Sequence, residues 1–566
     1  MKDYKKEAIL GPIFKLIEAI LELFVPIVMA KIIDVGVRNS DITYIFKMGG
    51  ILILLGASGL GFALICQYYA SIASQGVGTS IRSTLFKHIN NLSHTEIDKI
   101  GTPTLITRLT NDINQIQNGV AMMIRLGSRA PFIIIGSTIM AIALDLKLSI
   151  IFIITTPLIA LVIYFVMSKS LPLYKIIQNK LDHISLITRE NLEGTRVIKA
   201  FSKEESEKLR FKDASNDLSD TSINVGKISA LLNPITYIIM NLSIVAILWF
   251  GGIRVNSGSL TQGEVIAFVN YITQILLALI VFAQLIVTLT KASTSANRVS
   301  EILEIKSTIV EKENIKINSS KSEASFIEFK NVFFSYADSN EYSLSNISLT
   351  INKNETIGII GGTGSGKSTL VNLIPRFYDA TKGQVLINGT DVKDYTLKRL
   401  RSMIGIVPQK AVLFKGTLLE NLKWGKKDAT IDEIETALEI SQSSSFVQAF
   451  PKKYDTNILQ GGKNLSGGQK QRLTIARALV SNPEILILDD SSSALDFATD
   501  SNLRKALKEK VKNTTVIMVT QRASSIKNAD KIIVLDNGEI VGIGNHDYLI
   551  NNCEVYKEIC SSQLKN

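Results

Sequence analysis

Long apolar runs dominate the first half of the chain, whereas short apolar stretches separated by polar segments mark the second half. A helix needs about 20 apolar residues to cross the hydrocarbon core of a membrane. Runs of this length predict six transmembrane helices, over residues 9–35, 48–75, 119–144, 148–170, 229–253 and 263–290. The first run is too long for a signal peptide and contains Glu18 and Glu22, so we expect it to stay in the protein.

The positions of Lys and Arg predict the orientation of these spans. Basic residues crowd the long segments between spans 2 and 3 and between spans 4 and 5, whereas the short opposite loops contribute only Arg38, Lys147 and Arg254. By the positive-inside rule, both long loops and everything after residue 290 are cytoplasmic. The loops lack Gly and Pro clusters, so we expect them to extend the spans as helices.

The chain after the spans has a different pattern. Residues 1–304 form the predicted membrane domain, and the polar, serine-bearing residues 305–325 indicate a linker. In residues 326–566, strand-like runs alternate with helical segments, which predicts an α/β domain with a largely parallel sheet. These runs are 326–334, 356–360, 485–488, 515–519 and 531–535.

Composition narrows the function further. The 566 residues are 46% hydrophobic and 20% charged, which excludes a single soluble globule. The net charge of +11 comes without a basic stripe interleaved with aromatics, so we expect anionic lipids and phosphorylated ligands as partners and no nucleic acid. Cys66, Cys553 and Cys560 form no disulfide framework.

A glycine-rich segment follows the predicted strand ETIGII and matches the phosphate-binding pattern G-x-x-x-x-G-K-[ST] in full. In such a loop, backbone N–H groups and a helix N-terminus surround the phosphates, Lys367 neutralises charge and Ser368 ligates Mg²⁺. The strand ILILDD ends in Asp489, where a carboxylate that holds Mg²⁺ belongs. The predicted nucleoside-triphosphate site consists of Gly361, Gly362, Thr363, Gly364, Ser365, Gly366, Lys367, Ser368 and Thr369.

The segment LSGGQ, residues 465–469, lies between these two motifs. A serine and two glycines at a helix N-terminus also bind anions, yet the domain has no second phosphate loop for them to serve. With its spans, P-loop, LSGGQ and ILILDD in this order, the chain resembles a half-transporter of the ATP-binding cassette (ABC) exporter family over essentially its whole length. The resemblance implies a six-span type I exporter membrane domain, also called the type IV ABC fold, fused to a cytoplasmic α/β P-loop nucleotide-binding domain.

The resemblance assigns further residues. Nucleotide domains of this family dimerise head to tail, so Ser466, Gly467, Gly468, Gln469 and Asp496 would contact ATP held by a partner chain. Tyr336 resembles the aromatic that stacks on adenine; without the family it would be a strand-core tyrosine. Gln409 resembles the glutamine that contacts Mg²⁺ and the attacking water, so Ser368, Gln409 and Asp489 would hold the metal. Segments 101–112 and 193–201 resemble the coupling helices that press on nucleotide domains, with ordinary loop helices as the alternative.

Two catalytic positions depart from the family pattern. The family usually places Glu after the strand-ending Asp, to polarise water, and His at the end of the next strand, beside the γ-phosphate; this chain has Asp490 and Gln521. The shorter carboxylate would stand about 1.5 Å too far back, and a general base must reach its water. Gln521 keeps a donor but lacks the charge of an imidazolium. We therefore expect this site to bind ATP and hydrolyse it poorly.

An intact LSGGQ beside a weakened site resembles the degenerate-site subunit of heterodimeric bacterial drug-exporter-like pumps. A second half-transporter would supply the consensus Glu and His, and ATP binding would drive export of an unidentified small molecule or lipid by alternating access. The alternatives are a homodimer in which Asp490 works slowly, an ATP-gated regulatory or channel-like protein, and a structural partner that transports nothing. Usage rich in Lys, Ile and Asn suggests a bacterial plasma membrane.

Polar residues inside the spans are candidates for the transport path. Two i, i+4 pairs lie in spans 1 and 3, where they either neutralise one another or contact substrate. A polar stripe in span 6 either forms interhelical hydrogen bonds or lines a water-accessible path. The candidates are Glu18, Glu22, Arg125, Arg129, Asn270, Gln274 and Gln284.

Overall fold

The computed structural model describes residues 4–311, 325–337, 339 and 341–564. The chain forms two compact units. The first contains the residues up to His88 together with Pro103–Glu304, and the second contains Ile89–Thr102 and the described residues from Ile305 onward. Most of the predicted linker, residues 312–324, lies outside the described residues.

The part of the chain before residue 305 is helical throughout its regular structure. Two short π-helical stretches, Ile32–Val37 and Arg108–Asp112, interrupt the α-helices. The α-helices are α1 Lys5–Lys31, α2 Ile42–Asn91, α3 His94–Ile100, α4 Thr102–Thr107, α5 Ile113–Leu126, α6 Arg129–Leu144, α7 Leu146–Glu193, α8 Thr195–Ala200, α9 Glu204–Ala230, α10 Leu232–Asn256 and α11 Gln262–Glu304.

Five helices among the described residues are long and apolar enough to cross a membrane, rather than the six that the sequence predicted. They span Ile42–Asn91, Thr102–Leu144, Leu146–Glu193, Glu204–Asn256 and Gln262–Glu304, where the second range joins α4 to α6 and the fourth joins α9 and α10. The predicted first span corresponds to α1, whose 27 residues suffice in length. Its apolar stretch is interrupted by Lys15, Glu18 and Glu22, which lower its hydrophobicity. The five helices are each 43 to 53 residues long, which is more than a bilayer requires. This length agrees with the prediction that the loops extend the spans as helices.

The membrane unit packs around α11, whose apolar face is the most buried. Phe268 and Tyr271 are fully buried, and Phe268 meets Phe152 of α7 edge to face with ring centroids 5.7 Å apart. The hydroxyl of Tyr271 donates to the Leu23 carbonyl of α1 at 2.7 Å, so its polar atom is satisfied inside the bundle. Large apolar side chains such as Ile53 and Trp249 stand exposed on the unit, as contact with lipid requires.

The second unit carries all twelve strands found among the described residues. They are β1 Ile327–Phe334, β2 Leu344–Ile351, β3 Thr356–Gly361, β4 Lys382–Ile387, β5 Thr390–Asp391, β6 Ile404–Val407, β7 Gly416–Thr417, β8 Asn457–Ile458, β9 Ile485–Asp489, β10 Thr515–Val519, β11 Lys531–Asp536 and β12 Glu539–Gly544. The helices of this unit after residue 325 are α12 Lys367–Leu373, α13 Leu397–Ser402, α14 Leu418–Lys423, α15 Ile431–Ile440, α16 Ser444–Gln448, α17 Gly467–Leu479, α18 Phe497–Lys510, α19 Ala523–Ile526, α20 His546–Asn552 and α21 Glu554–Leu564.

The larger sheet confirms the predicted parallel α/β core. Its six strands run in the order β12-β11-β3-β10-β9-β6, and every pair is parallel except β11 with β12. Ile357, Ile487 and Ile517 on its central strands are fully buried, because helices cover both faces. β3, β9 and β10 are neighbours, so their carboxyl ends bring residues 361, 489 and 519 to one edge, where ligands of such sheets bind.

The domain also contains an antiparallel sheet in the order β2-β1-β4-β5 and a two-stranded antiparallel sheet formed by β7 and β8. The sequence predicted β1, but not its pairing with β2 and β4. β1 pairs with both neighbours, and Phe329 and Val332 on it are buried in the same core cluster as β3. This sheet thus shares a core with the parallel sheet.

Candidate functional site

The P-loop connects β3 to α12, as the sequence predicted. Gly364 and Gly366 have φ values of 82° and 92°, the left-handed region that glycine adopts without strain. A Cβ on Gly361 would lie 2.1 Å from the Leu535 carbonyl oxygen, so no larger residue fits there. The loop closes on Lys367, which begins α12 and donates from Nζ to the carbonyls of Gly361 at 3.0 Å and Gly362 at 2.5 Å.

Lys367 is held in a position where burial works against its charge. Burial lowers the pKa of Lys367, and the carboxylates of Asp490 and Asp489 oppose that shift. Lys367 is 9% exposed, and its ammonium group already donates hydrogen bonds to two carbonyls. When a nucleotide binds, it can donate to phosphate oxygens instead.

Ser368 and Asp489 form the oxygen pair expected for a divalent cation. The Ser368 hydroxyl donates to Asp489 Oδ1 at 3.0 Å. Burial raises the pKa of Asp489, while the bond from Ser368 and the charge of Lys367 lower it. Hydroxyl and carboxylate oxygens at the end of a buried strand are the donors that Mg²⁺ prefers, so the residues fit this ion.

Tyr336 lies beyond the end of β1 and is 39% exposed, so it is not a strand-core residue. Its hydroxyl is 3.1 Å from Thr369 Oγ1, which ties it to the helix that follows the P-loop. The ring packs edge to face against Phe334 and Tyr378, with centroids 4.9 and 5.4 Å away. An exposed, fixed ring beside the P-loop can accept a base stacked on it.

The two unusual catalytic positions lie at the ends of neighbouring strands. Asp490 has a φ of 46°, and its backbone N–H donates to the Val519 carbonyl at 2.9 Å. Gln409 Nε2 donates to Asp490 Oδ2 at 3.4 Å, so the structure brings these two residues together. Gln521 follows β10 by two residues and is exposed.

The LSGGQ segment forms the N-terminus of α17. Ser466 is the N-cap, and its hydroxyl accepts from the Gln469 backbone N–H while the Gln469 side chain accepts from Ser466 N–H at 3.0 Å. This capping box leaves Ser466 and Gly467 exposed at the helix start, where an anion binds best. The sequence located this helix start correctly but did not reveal that Gln469 serves the cap.

Arg472 was missed by the sequence reasoning. Its guanidinium donates to the Gln442 carbonyl at 2.8 Å and to the Gly468 carbonyl at 3.3 Å, and it stacks 4.7 Å from the Phe446 ring. It therefore anchors the LSGGQ helix to the preceding chain. Arg472 lies four residues after Gly468, so the two face each other across one helical turn. This spacing is the sequence signal that could have identified Arg472.

Asp496 caps α18 in this chain. Its carboxylate accepts from Thr499 N–H at 2.9 Å and from the Thr499 hydroxyl at 2.7 Å. These bonds hold the pKa of Asp496 below its usual value. The side chain is exposed, so the cap does not bury it away from a neighbouring molecule.

The first cytoplasmic segment that packs in the nucleotide-binding unit is Ile89–Thr102, centred on α3, and not the predicted 101–112. Tyr378 Oη donates to Asp98 at 2.6 Å, and the His94 ring meets Phe377 edge to face at 4.7 Å. Burial lowers the pKa of His94. α3 is capped by Ser93 and Gly101, so this packed helix ends before most of the predicted segment begins. The second predicted segment, 193–201, contains α8.

The intramembrane candidates separate into two groups. Arg129 donates to Glu22 at 2.8 Å, so this predicted pair forms, whereas Glu18 pairs with Lys15 at 2.6 Å instead of with Arg125. Gln274 accepts from Ser137 of α6 at 3.4 Å, a bond between helices, and Asn270 donates to Ile266 of its own helix at 2.9 Å. Gln284 is exposed.

Each half of the chain matches a known protein family. The description "ABC transporter transmembrane region" matches residues 8–279, and "ABC transporter" matches residues 344–493. An uncharacterized ABC transporter ATP-binding protein of Mycobacterium tuberculosis is 38% identical over 100% of this chain and 97% of its own length. The putative multidrug export ATP-binding/permease protein YgaD of Bacillus subtilis is 32% identical, over 100% of this chain and 98% of its own length.

A solved structure agrees in fold. A bacterial Atm1-family ABC exporter with ATP bound superposes with a TM-score of 0.83 at 23% identity, covering 99% of each chain. The extent of these matches, together with the P-loop, the LSGGQ helix and the apolar helices, decides the family: the chain is a multi-pass membrane protein of the ABC transporter family, with a membrane domain fused to a nucleotide-binding domain in the manner of exporters.

Proposed function

We propose that this chain is one half of a heterodimeric exporter whose own P-loop site holds ATP with little hydrolysis. The observation that carries the proposal is Asp490, which stands where the family usually has Glu. The backbone around it is fixed, because Asp490 N–H donates to the Val519 carbonyl at 2.9 Å and the Ser493 hydroxyl donates to the Asp490 carbonyl at 2.9 Å. A shorter carboxylate on a pinned backbone does not advance to a water molecule at the γ-phosphate.

The other residues support holding rather than hydrolysis. Lys367, Ser368 and Asp489 are arranged for phosphate and Mg²⁺, and Mg²⁺ there would neutralise phosphate charge. Gln409 would orient toward the same metal, with Tyr336 stacked on adenine. Gln521 offers a neutral donor where the family has His, so it binds the γ-phosphate without adding positive charge.

An intact LSGGQ helix supports a partner with a complete site. Ser466, Gly467, Gly468 and Gln469, together with Asp496, would contact ATP on the P-loop of a second half-transporter that bears the consensus Glu and His. Hydrolysis there resets the pair, and ATP at this chain's site persists through many cycles. The family match begins at residue 8, inside α1, which supports α1 as a sixth span.

The transported molecule would cross by alternating access between the spans, with the nucleotide domain in the cytoplasm. YgaD is named a putative multidrug export protein, which supports a small molecule as cargo, with a lipid as the alternative. Glu22 and Arg129 form an ion pair, so their first role is structural. The side chains of Asn270 and Gln284 are exposed and could line the transport path. Glu18, Arg125 and Gln274 stay candidates for it.

The test is to tag this chain, extract the complex gently from its native membrane and weigh it intact by mass spectrometry. The complex is then loaded with 8-azido-[α-³²P]ATP under vanadate, irradiated and separated by electrophoresis. We expect a second six-span subunit and vanadate-dependent labelling of that subunit alone. A symmetric homodimer, or equal vanadate-dependent labelling of both subunits, would overturn the proposal and favour slow catalysis by Asp490.

A further inference from the structure

The loop that carries Gln521 is held by the last helix of the chain. β10 ends at Val519, and α19 begins at Ala523. Gln563, on α21, donates from Nε2 to the Gln521 carbonyl at 2.6 Å. The same side chain accepts through Oε1 from the Ala523 N–H at 2.8 Å. One amide group therefore bridges the two sides of the loop.

The helix that presents Gln563 is firmly anchored. Tyr556 is fully buried and its hydroxyl lies 2.8 Å from His546 Nδ1, while Cys560 is also buried. Both belong to a core cluster that includes Ile360, the residue before the P-loop, and Ala523. The helix thus packs beneath the P-loop strand and the Gln521 loop together, and Gln563 is a fixed point from which the loop is held.

The chemistry of the bridge requires an amide. A glutamine side chain offers both a donor and an acceptor, whereas a carboxylate only accepts. Glu at this position would keep the bond from Ala523 N–H and lose the one to the Gln521 carbonyl. Ala would lose both. Substitution at this single residue can therefore remove the bond to the Gln521 carbonyl alone or both bonds together.

We propose that Gln563 is a positioning residue, which fixes the backbone of Gln521 so that its side chain meets the γ-phosphate of bound ATP. The proposal rests on the γ-phosphate role proposed above for Gln521. ADP has no γ-phosphate, so loss of the bridge shortens the residence of ATP at this site and leaves that of ADP unchanged. A helix that merely stabilised the domain would affect both nucleotides alike.

The experiment measures nucleotide release from the intact transporter in lipid nanodiscs. The complex is loaded with 8-azido-[α-³²P]ATP or the corresponding ADP, chased with unlabelled nucleotide, irradiated at intervals and separated into subunits. In Gln563→Ala, ATP release from this chain should accelerate about tenfold, the size expected for two lost hydrogen bonds. Gln563→Glu should give a smaller acceleration, and neither variant should change ADP release. Ser562→Ala is the matched control, because among the described residues the Ser562 hydroxyl donates to Ile559 of its own helix, at 2.9 Å, and not to the Gln521 loop.

Hydrogen exchange at the Ala523 amide reports the bridge itself and should rise in Gln563→Ala more than in Gln563→Glu. Equal acceleration of ATP and ADP release, or no acceleration, would overturn the proposal. The variant Gln521→Ala distinguishes the positioning role of Gln563 from the γ-phosphate role of Gln521. If Gln521→Ala leaves ATP release unchanged, the γ-phosphate role of Gln521 is wrong, whereas an effect of Gln521→Ala without one of Gln563→Ala refutes the positioning role alone.

Discussion

The two sides of the ATP site differ in how firmly the fold holds their side chains. On the phosphate-holding side, Lys367 is buried with two carbonyl partners, and Ser368 bonds to Asp489 at 3.0 Å. On the water-activating side, the exposed Gln409 reaches Asp490 only at 3.4 Å, and Gln521 is exposed. The first side matches the family at every position, and the second departs from it at both catalytic positions. Under the proposed function, binding and hydrolysis therefore depend on separable parts of one site.

The largest effect should come from lengthening the carboxylate on the weak side. Asp490→Glu should raise ATP hydrolysis at this chain's site by roughly 10²-fold, because the added methylene brings the carboxylate toward the attacking water. Vanadate-dependent labelling of this chain measures the gain. Asp490→Asn is the matched control and should change turnover of the transporter less than twofold. A severe loss of turnover in Asp490→Asn would mean that Asp490 already serves as the base.

The next largest effect should come from removing the positive charge on the phosphate-holding side, which should weaken ATP binding. Lys367→Ala should weaken ATP binding at this chain by about 30-fold, the scale of a charge-assisted contact to phosphate. Photolabelling of this chain at graded concentrations of 8-azido-ATP gives the affinity. Lys508→Ala, an exposed lysine on α18, should leave it unchanged. An unchanged affinity in Lys367→Ala would remove the P-loop assignment.

A smaller effect is expected where Tyr378, which packs against Tyr336, contacts α3. Burial and Asp98 raise the pKa of Tyr378, so its hydroxyl stays protonated and donates to Asp98 at 2.6 Å. Tyr378→Phe removes the bond to Asp98 and should lower transport per ATP hydrolysed about threefold, as expected for one lost hydrogen bond. Because the ring still packs against Tyr336, ATP binding should persist. Parallel assays of transport and phosphate release provide the ratio, with Tyr342→Phe as control. If binding falls and the ratio stays constant, the contact serves the site and not coupling.

The smallest effect concerns the cap of α3. Burial raises the pKa of Glu96, but hydrogen bonds from Ser93 and Thr308 outweigh it and hold the pKa below its usual value. A depressed carboxyl pKa contributes stability above the ordinary pKa of Glu, and this is lost as the pH falls through the lowered value. Glu96→Gln should therefore cost about 0.5 kcal/mol near pH 7 and progressively less in acid. Thermal unfolding from pH 7.5 to 4 measures the difference, with Glu420→Gln, a capping glutamate of α14, for comparison.

Motifs with short-range geometry were predictable because neighbouring residues build them. The P-loop, the strand ending at Asp489 and the start of α17 at LSGGQ lie where the sequence put them. The five long apolar helices were equally accessible, since length and composition alone identify them. The predicted first span, α1, is not among these five, because its charged residues lower its hydrophobicity, although Glu22 pairs with Arg129 across the bundle.

The sequence by itself therefore determined the family, the nucleotide site and the two departures at Asp490 and Gln521, because each is a local pattern. Only the tertiary structure decided which residues from distant parts of the chain meet. It brought Gln563 to the Gln521 loop, Asp98 to Tyr378 and Glu22 to Arg129, and it moved the packed cytoplasmic segment to 89–102. Hydrogen bonds of this kind depend on how helices and strands pack around a shared core, and no spacing along the sequence encodes them.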